Sequence, residues 1–342
     1  MNRQQKIIAY ATGVVLGCLI LMAIPRGEKK ASSPHPWHAQ TAPEGTYPRE
    51  LVDDLGRTVR LEKQPRHFIS LAPSTTEILF AMGMGDHLMA VTRWCTYPEE
   101  ANALREAGAE IGSMDQPNRE MIAAYRPDLI LGTDLTPPEI YAVLDNPPRT
   151  VSLVLKHEGI EDIINDVKTV GLAIGVPGKA LALVQRLEAE REAVLERLRA
   201  VRELPPKRVL FLLSIEPGGQ PGWAPGKKTW PNSLIEAAHA VNVASEIGSA
   251  WGEVSLEALL VLNPEVLLIR EADTPAEQAR MEAEVAKLPR HPVWKQVQAV
   301  QEGRIHWIPN GPLSIPGPRV MEAYSSVSSA VWPDLPQAGQ TP

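Results

Sequence analysis

The sequence predicts an α/β molecule of two lobes joined by one long helix, and three observations predict it. First, NREMIAAYRPDLIL (118–131) and SLEALLVLNPEVLL (255–268) match 137 positions apart, with Glu120 over Glu257, Pro127 over Pro264 and Asp128 over Glu265. In each copy a polar start carrying a glutamate opens an apolar-periodic helix, a proline ends it, and a strand-type run follows. Solenoid repeats recur every ~20–50 residues, so a separation this long indicates two lobes of one pseudo-symmetric molecule. Second, short apolar runs alternate with helical patterns on both sides of the repeat. Third, an uninterrupted amphipathic helix lies between the copies.

The elements follow in order. Arg3 and Lys6 precede IIAYATGVVLGCLILMAI (7–24), an uncharged run of 18 residues, between the ~7–15 of a cleavable signal and the ~20 of a spanning helix. Residues 1–25 therefore read as an export signal long enough to be retained as a membrane anchor. Cys18, in VLGC, loosely matches a lipoprotein box and is the candidate for lipidation, although the next residues (LILMAI) stay apolar. Residues 26–48, rich in proline, serine and charge, read as a flexible linker.

The N-terminal lobe is expected over 49–176. LVDDLGRTVRL (51–61) reads as a hairpin turning at Asp54 and Gly56. Strands are expected at 67–72, 88–92, 128–132 and 150–154. Ser74 and Glu77 have the spacing of a capping box for a helix ending near Gly83, so Glu77 reads as structural.

The connecting helix is expected over 177–206. Pro177 suits its first turn, a stripe runs through Leu181, Val184, Leu187, Val194, Leu195, Leu198 and Val201, and Pro205-Pro206 stops it. A helix of roughly 27 residues would be about 40 Å long, a stiff connector that lets the lobes close little on a ligand. The C-terminal lobe is expected over 207–334, with strands at 208–213, 265–269 and 304–308, and 335–342 as a disordered tail.

At 342 residues and 44% apolar content the chain can build two cores. A net charge of −7 without a basic, aromatic-interleaved patch excludes nucleic acid as the expected partner. Outside Cys18 the only thiol is Cys95, so no disulfide forms within the folded part. The chain carries no GxSxG elbow, HExxH helix or phosphate-cradling glycine loop, so no catalytic residues and no enzymatic activity are expected. His67, His87, His157, His239, His291 and His306 are scattered and read as surface or capping histidines, with no metal site and no cofactor expected.

Four segments carry a family resemblance: SLAPSTTEILFAMGMGDHLMAVTRWCTYPEEA (70–101), PNREMIAAYRPDLILG (117–132), GWAPGKKTWPNSLIEAAHAVNVASEIGSAWGEVSLEALLVLNPEVLLI (222–269) and GRIHWIPNGPLSIPGPRVMEA (303–323). Over roughly 49–334 the chain resembles the periplasmic vitamin B12 and iron-chelate binding proteins of ABC importers, the B12-binding kind most of all. The resemblance implies two Rossmann-like lobes on a single rigid helix, a ligand groove between them, a monomer outside the cytoplasm, and a permease with its ATPase as partners. It implies that Glu120 and Glu257 dock on permease arginines, where paired Arg–carboxylate contacts would fix register. The alternative is that each glutamate only favours its helix dipole.

By the same resemblance Trp94 and Trp251 stand at ligand-stacking positions, and Trp223 is a third candidate. Flat rings suit a corrin or porphyrin face. Met114 replaces a groove aromatic, and Gly311 and Ile315 replace charged groove residues, so a bulky, mostly neutral ligand is expected. Cobalamin or cobinamide fits best; haem, held through Tyr97 or His306, or a ferric siderophore is the alternative.

Overall fold

The computed structural model describes residues 46–248 and 250–335. The expected anchor over 1–25 with Cys18, most of the linker, and the tail beyond 335 lie outside the described residues. Among the described residues no helix is long and apolar enough to cross a membrane.

The chain opens with an antiparallel hairpin, β1 (Arg49–Val52) and β2 (Thr58–Leu61). Its turn is built as the Asp/Gly pattern requires: Gly56 has φ +76°, and the buried Asp53 carboxylate accepts from the Leu55 and Arg57 amides at 3.1 and 2.8 Å. Tyr47, assigned to the linker by sequence, belongs to this lobe, because its hydroxyl donates to the Ala173 carbonyl at 2.9 Å.

Next come β3 (Phe68–Ser70), α1 (Pro73–Ala81), β4 (Leu88–Val91), α2 (Glu99–Leu104), α3 (Arg119–Tyr125), β5 (Leu129–Thr133), α4 (Pro138–Leu144), β6 (Val151–Leu155) and α5 (Ile160–Ala173). The four strands form a parallel sheet in the order β4-β3-β5-β6. Every residue of β5 and β6 is buried, as expected of parallel strands covered on both faces. Ile69, Leu71, Ile111, Ile122, Ile130 and Tyr141, all fully or nearly fully buried, form one core, each large aliphatic side chain contributing about 1.5–3 kcal/mol on removal from water.

The connecting helix α6 spans Pro177–Leu198, 22 residues, and tightens into a 3-10 turn at Arg199–Val201. It is shorter than the 27 residues expected, because the apolar stripe continues past Leu198 while the backbone leaves the α-helix. It packs on α5 on one side and on the last helix on the other.

The second half contains β7 (Lys207–Leu212), β8 (Ile215–Glu216), β9 (Gln220–Pro221), β10 (Trp223–Pro225), α7 (Trp230–Ala237), β11 (Ala240–Asn242), β12 (Trp251–Glu253), α8 (Leu256–Leu262) and β13 (Val266–Arg270). It closes with α9 (Pro275–Val285), α10 (Gln298–Gln301), β14 (Ile305–Ile308), α11 (Asn310–Ser314) and α12 (Val320–Val331). Its sheet runs β11-β7-β13-β14, all parallel, the same order as the first lobe. The sequence missed β11, a three-residue edge strand, and the two-stranded ribbon of β10 and β12. Trp294, fully buried, donates from Nε1 to the Gly219 carbonyl at 2.6 Å in this lobe's core.

The duplication extends to atomic detail at the helix ends. Asn118 and Ser255 each accept from the amide three residues on, both at 3.1 Å, and Arg126 and Asn263 each close their helix in the left-handed conformation. The paired acids Asp128 and Glu265 then fix the first strand of the parallel sheet in their own lobe. Asp128 accepts from the Arg66 and His67 amides at 3.0 and 3.1 Å, and Glu265 from the Arg208 amide at 3.0 Å. Lys63 and Lys207 complete the two sites at 3.0 and 3.1 Å.

Burial opposes ionisation of both carboxyls, yet the backbone amides and lysines outweigh it and hold both below the usual carboxylate range. A depressed folded pKa stabilises above the unfolded pKa of ~4 and is lost as pH falls through the folded value. Asp128→Asn should therefore cost about 1–3 kcal/mol at pH 7 and flatten the acid limb of stability below about pH 4, measured by urea melts across pH. Glu265→Gln should behave alike; an unchanged acid limb in both variants would refute the role.

Candidate ligand-binding site

In open parallel sheets, ligands bind beyond the carboxyl ends of the strands where strand order reverses direction. In the first lobe that switch lies between β3 and β5, and in the second between β7 and β13. The exposed large apolar side chains Trp94, Tyr97 and Leu135 follow β4 and β5, while Trp223, Ile247 and Trp251 follow β7 and β11, all in the connections that leave the carboxyl ends. Tyr97 was singled out by sequence only as a haem-ligand candidate, and Leu135 and Ile247 not at all, since an isolated apolar residue in a loop has no periodicity to mark it.

Trp94 is 55% exposed because of its neighbour. Cys95 is fully buried, 3.2 Å from the Thr76 hydroxyl and 3.3 Å from that of Thr92, and pins the loop so that the preceding side chain turns outward. Burial pushes the Cys95 thiol up, which keeps it an inert anchor.

Trp223 and Trp251 share one face of the β10–β12 ribbon. Pro225 pairs with Trp251 and Trp223 with Glu253, so the two tryptophans are diagonal neighbours, with side chains within reach across ~7–8 Å. Gly222 lets the ribbon form: a Cβ there would lie 2.3 Å from the Ser214 hydroxyl and 2.8 Å from its carbonyl.

The two edges are joined by a contact that links residues 242 positions apart. Arg319, which precedes α12, donates from Nε to Glu77 Oε2 at 3.0 Å and from Nη2 to Oε1 at 2.5 Å, and its guanidinium lies 3.7 Å from the Tyr97 ring centre. Glu77 is therefore no capping residue. The helix starts after Ala72 with Pro73 in its first turn and no side-chain cap, so Ser74 and Glu77 fall two positions out of capping register. Burial pushes the Glu77 carboxyl up, against the pull of Arg319. A Cβ at Gly311 would sit 2.8 Å from Arg319 Nη1 and one at Gly317 3.2 Å from Glu77 Oε2, so both glycines make room for the pair.

His157 is also not a surface histidine. It is buried, with Nδ1 2.5 Å from Asp166 and Nε2 3.2 Å from the Ser74 hydroxyl. His306 sits within β14, on the sheet face opposite Ile305 and Trp307, which pack on the core. Its Nε2 is buried without a hydrogen-bond partner, and burial lowers its pKa.

Glu120 and Glu257 occupy the same second position of α3 and α8, and both are exposed. Their surroundings differ. The Glu257 carboxyl is held low by its own backbone amide and the Ser255 hydroxyl, and its helix exposes Leu260 and Val261 where the first copy has Ala123 and Ala124. Glu120 lines a concavity of about 1410 Å³ on the lobe's flank, together with Arg119, Arg126, Arg149 and Lys63. No group of three or more His, Cys, Asp or Glu that could hold a metal ion occurs among the described residues.

Removing the charge of Glu77 alone strands Arg319 against a half-buried site. Glu77→Gln should destabilise by about 2–4 kcal/mol, below the full cost of breaking a buried pair because Arg319 keeps some contact with water. Glu77→Gln/Arg319→Gln should recover part of that loss in chemical denaturation. A single variant within about 0.5 kcal/mol of wild type would show that the pair does not hold the lobes.

A sequence profile of the periplasmic binding protein family matches residues 69–311. The chain is 24% identical over 291 residues to the uncharacterized ABC transporter substrate-binding lipoprotein YvrC of Bacillus subtilis, covering 84% of this chain and 87% of that one. It is 30% identical over 209 residues to the vitamin B12-binding protein of Pectobacterium carotovorum, covering 60% and 71%. Among solved structures, the periplasmic heme-binding protein RhuT from Roseiflexus sp. RS-1 in apo form superimposes with a TM-score of 0.65 at 25% identity, covering 78% of this chain and 98% of that one. Two parallel sheets of identical strand order, an aromatic edge on each and this match over most of both lobes agree: the chain belongs to the periplasmic binding protein family, the substrate-binding components of ABC importers.

Proposed function

We propose that this protein captures a corrinoid, cobalamin or cobinamide, between its lobes outside the cytoplasm and delivers it as a monomer to an ABC permease and its ATPase. The observation that carries this reading is the distribution of exposed aromatics: Trp94 on one edge, Trp223 and Trp251 side by side on the other. Flat rings give large contact area to a macrocycle at little entropic cost. The vitamin B12-binding relative adds weight. No chemistry on the ligand is needed for this role. Haem is the second reading, favoured by Tyr97, whose exposed phenol lies on the same edge as Trp94 and could supply an axial oxygen. His306, inside a strand, is a poor candidate for the same task.

A binding screen of the domain from about residue 45 onward should find cobalamin or cobinamide binding with sub-micromolar affinity, tighter than roughly −8 kcal/mol. Trp251→Ala should weaken it by at least ~1 kcal/mol. Saturable binding of haem or a siderophore, with no corrinoid bound, would refute the ligand assignment and leave the receptor class standing.

Glu120 and Glu257 are proposed to dock on permease arginines. Replacing both by alanine should leave ligand titrations nearly unchanged and abolish complex formation with the permease, with more lost than in either single variant. A double variant that still pulls down the permease would return both glutamates to the role of helix-dipole partners.

A further inference from the structure

Ser74, His157 and Asp166 come from three elements and meet in one hydrogen-bonded line. Ser74 lies in the first turn of α1, His157 in the connection after β6, and Asp166 within α5. His157 Nδ1 is 2.5 Å from Asp166 Oδ2 and His157 Nε2 is 3.2 Å from Ser74 Oγ. The His157 and Asp166 side chains are 5% and 4% exposed and Ser74 is 3% exposed. A carboxylate at Nδ1 retains the ring proton there, so Nε2 is left to accept from the serine hydroxyl.

The backbone context fits a nucleophile. Ser74 is the second residue of a nine-residue helix that follows β3 after the extended Ala72. Among the described residues no protein acceptor meets the amide of Thr75, the residue after Ser74. Such a first-turn amide is an orphan donor, and the amide after a nucleophilic serine is the usual place for an oxyanion to form. Ligand capture uses none of this: a buried serine could be held in place by one hydrogen bond to a backbone carbonyl, without an imidazole and a carboxylate behind it.

We propose that Ser74 is a nucleophile activated by His157 and Asp166, and that this protein accepts acyl groups from small carboxylic esters at the floor of the first lobe. Ser74 Oγ bonds to the carbonyl carbon while its proton passes to His157 Nε2, and the Thr75 amide faces the developing oxyanion. The carbon–oxygen bond to the leaving group then breaks, and the alcohol leaves with the proton from His157. Water, deprotonated by the same ring, cleaves the acyl-serine to a carboxylic acid and restores the hydroxyl. The ester and water supply every atom, and no oxidant or reductant is needed. With Ser74 this enclosed the site takes compact acyl groups only, independently of which ligand fills the groove.

The test uses the folded chain from about residue 45, treated with an alkyl fluorophosphonate and, separately, 4-nitrophenyl acetate, followed by peptide mass spectrometry. It is run at pH 8 because burial pushes the Asp166 carboxyl up to about 7, with Asp54, Asp134 and Asp162 adding negative charge around the pair. The expected result is an adduct on Ser74 in the native protein and none after unfolding in urea. Ser74→Ala should abolish it and His157→Gln should slow it at least ~100-fold, the lower end of what a general base contributes. Absence of any Ser74 adduct on native wild-type protein overturns the proposal, and that outcome does not depend on whether a variant folds. An adduct formed equally fast in a folded His157→Gln protein overturns it as well.

Discussion

The ion pair of Glu77 with Arg319 is the constraint on which the relative placement of the two aromatic edges depends. Glu77 leaves water almost wholly and Arg319 in large part, a desolvation of several kcal/mol for a fully buried ion that only good geometry repays. Two parallel N–H···O contacts and the Tyr97 ring provide that geometry. Because Glu77 belongs to the first helix of one lobe and Arg319 introduces the last helix of the other, the pair ties the carboxyl edge of one sheet to the segment that leaves the other sheet. The last helix packs in turn on α6, so the pair and the connecting helix hold the lobes at two separate points. The exposed aromatics Trp94, Trp223 and Trp251 are thus carried on edges of fixed spacing.

Within each lobe a second carboxylate plays a comparable part at the opposite end of the sheet. Asp128 and Glu265 satisfy the amides at the start of the first strand and receive a lysine. They stand one proline beyond the left-handed residues that end α3 and α8, so one short stretch ends a helix and anchors the neighbouring strand. That economy explains why the duplicated segment spans helix, turn and strand together.

Much of this was legible in the sequence because it depends on local periodicity. The repeat, the hairpin at Gly56 and seven sheet strands could be read within one or two residues of where they lie. What escaped depends on partners distant in the chain. Ser74 and Glu77 satisfy a local capping pattern, and only Pro73, which moves the helix start, and an arginine far downstream reveal that both side chains face elsewhere. His157 looked ordinary because its partner Asp166 sits on an amphipathic helix whose polar positions all look solvated. The ribbon carrying Trp223 and Trp251 consists of strands of three residues, too short for an alternating pattern to declare itself. The tryptophans themselves were visible as candidates by resemblance, while their shared face required the pairing register.

The helices that carry Glu120 and Glu257 are alike in backbone and unlike in surface, one set among arginines and the other beside exposed Leu260 and Val261. A partner assembled from two identical halves would therefore feel a charged hand on one side and an oily one on the other. Turning the receptor by half a revolution only exchanges which half meets which hand. If both helices dock on one twofold assembly, a single receptor breaks the symmetry of what it joins, and the two halves cease to be equivalent from the moment of contact.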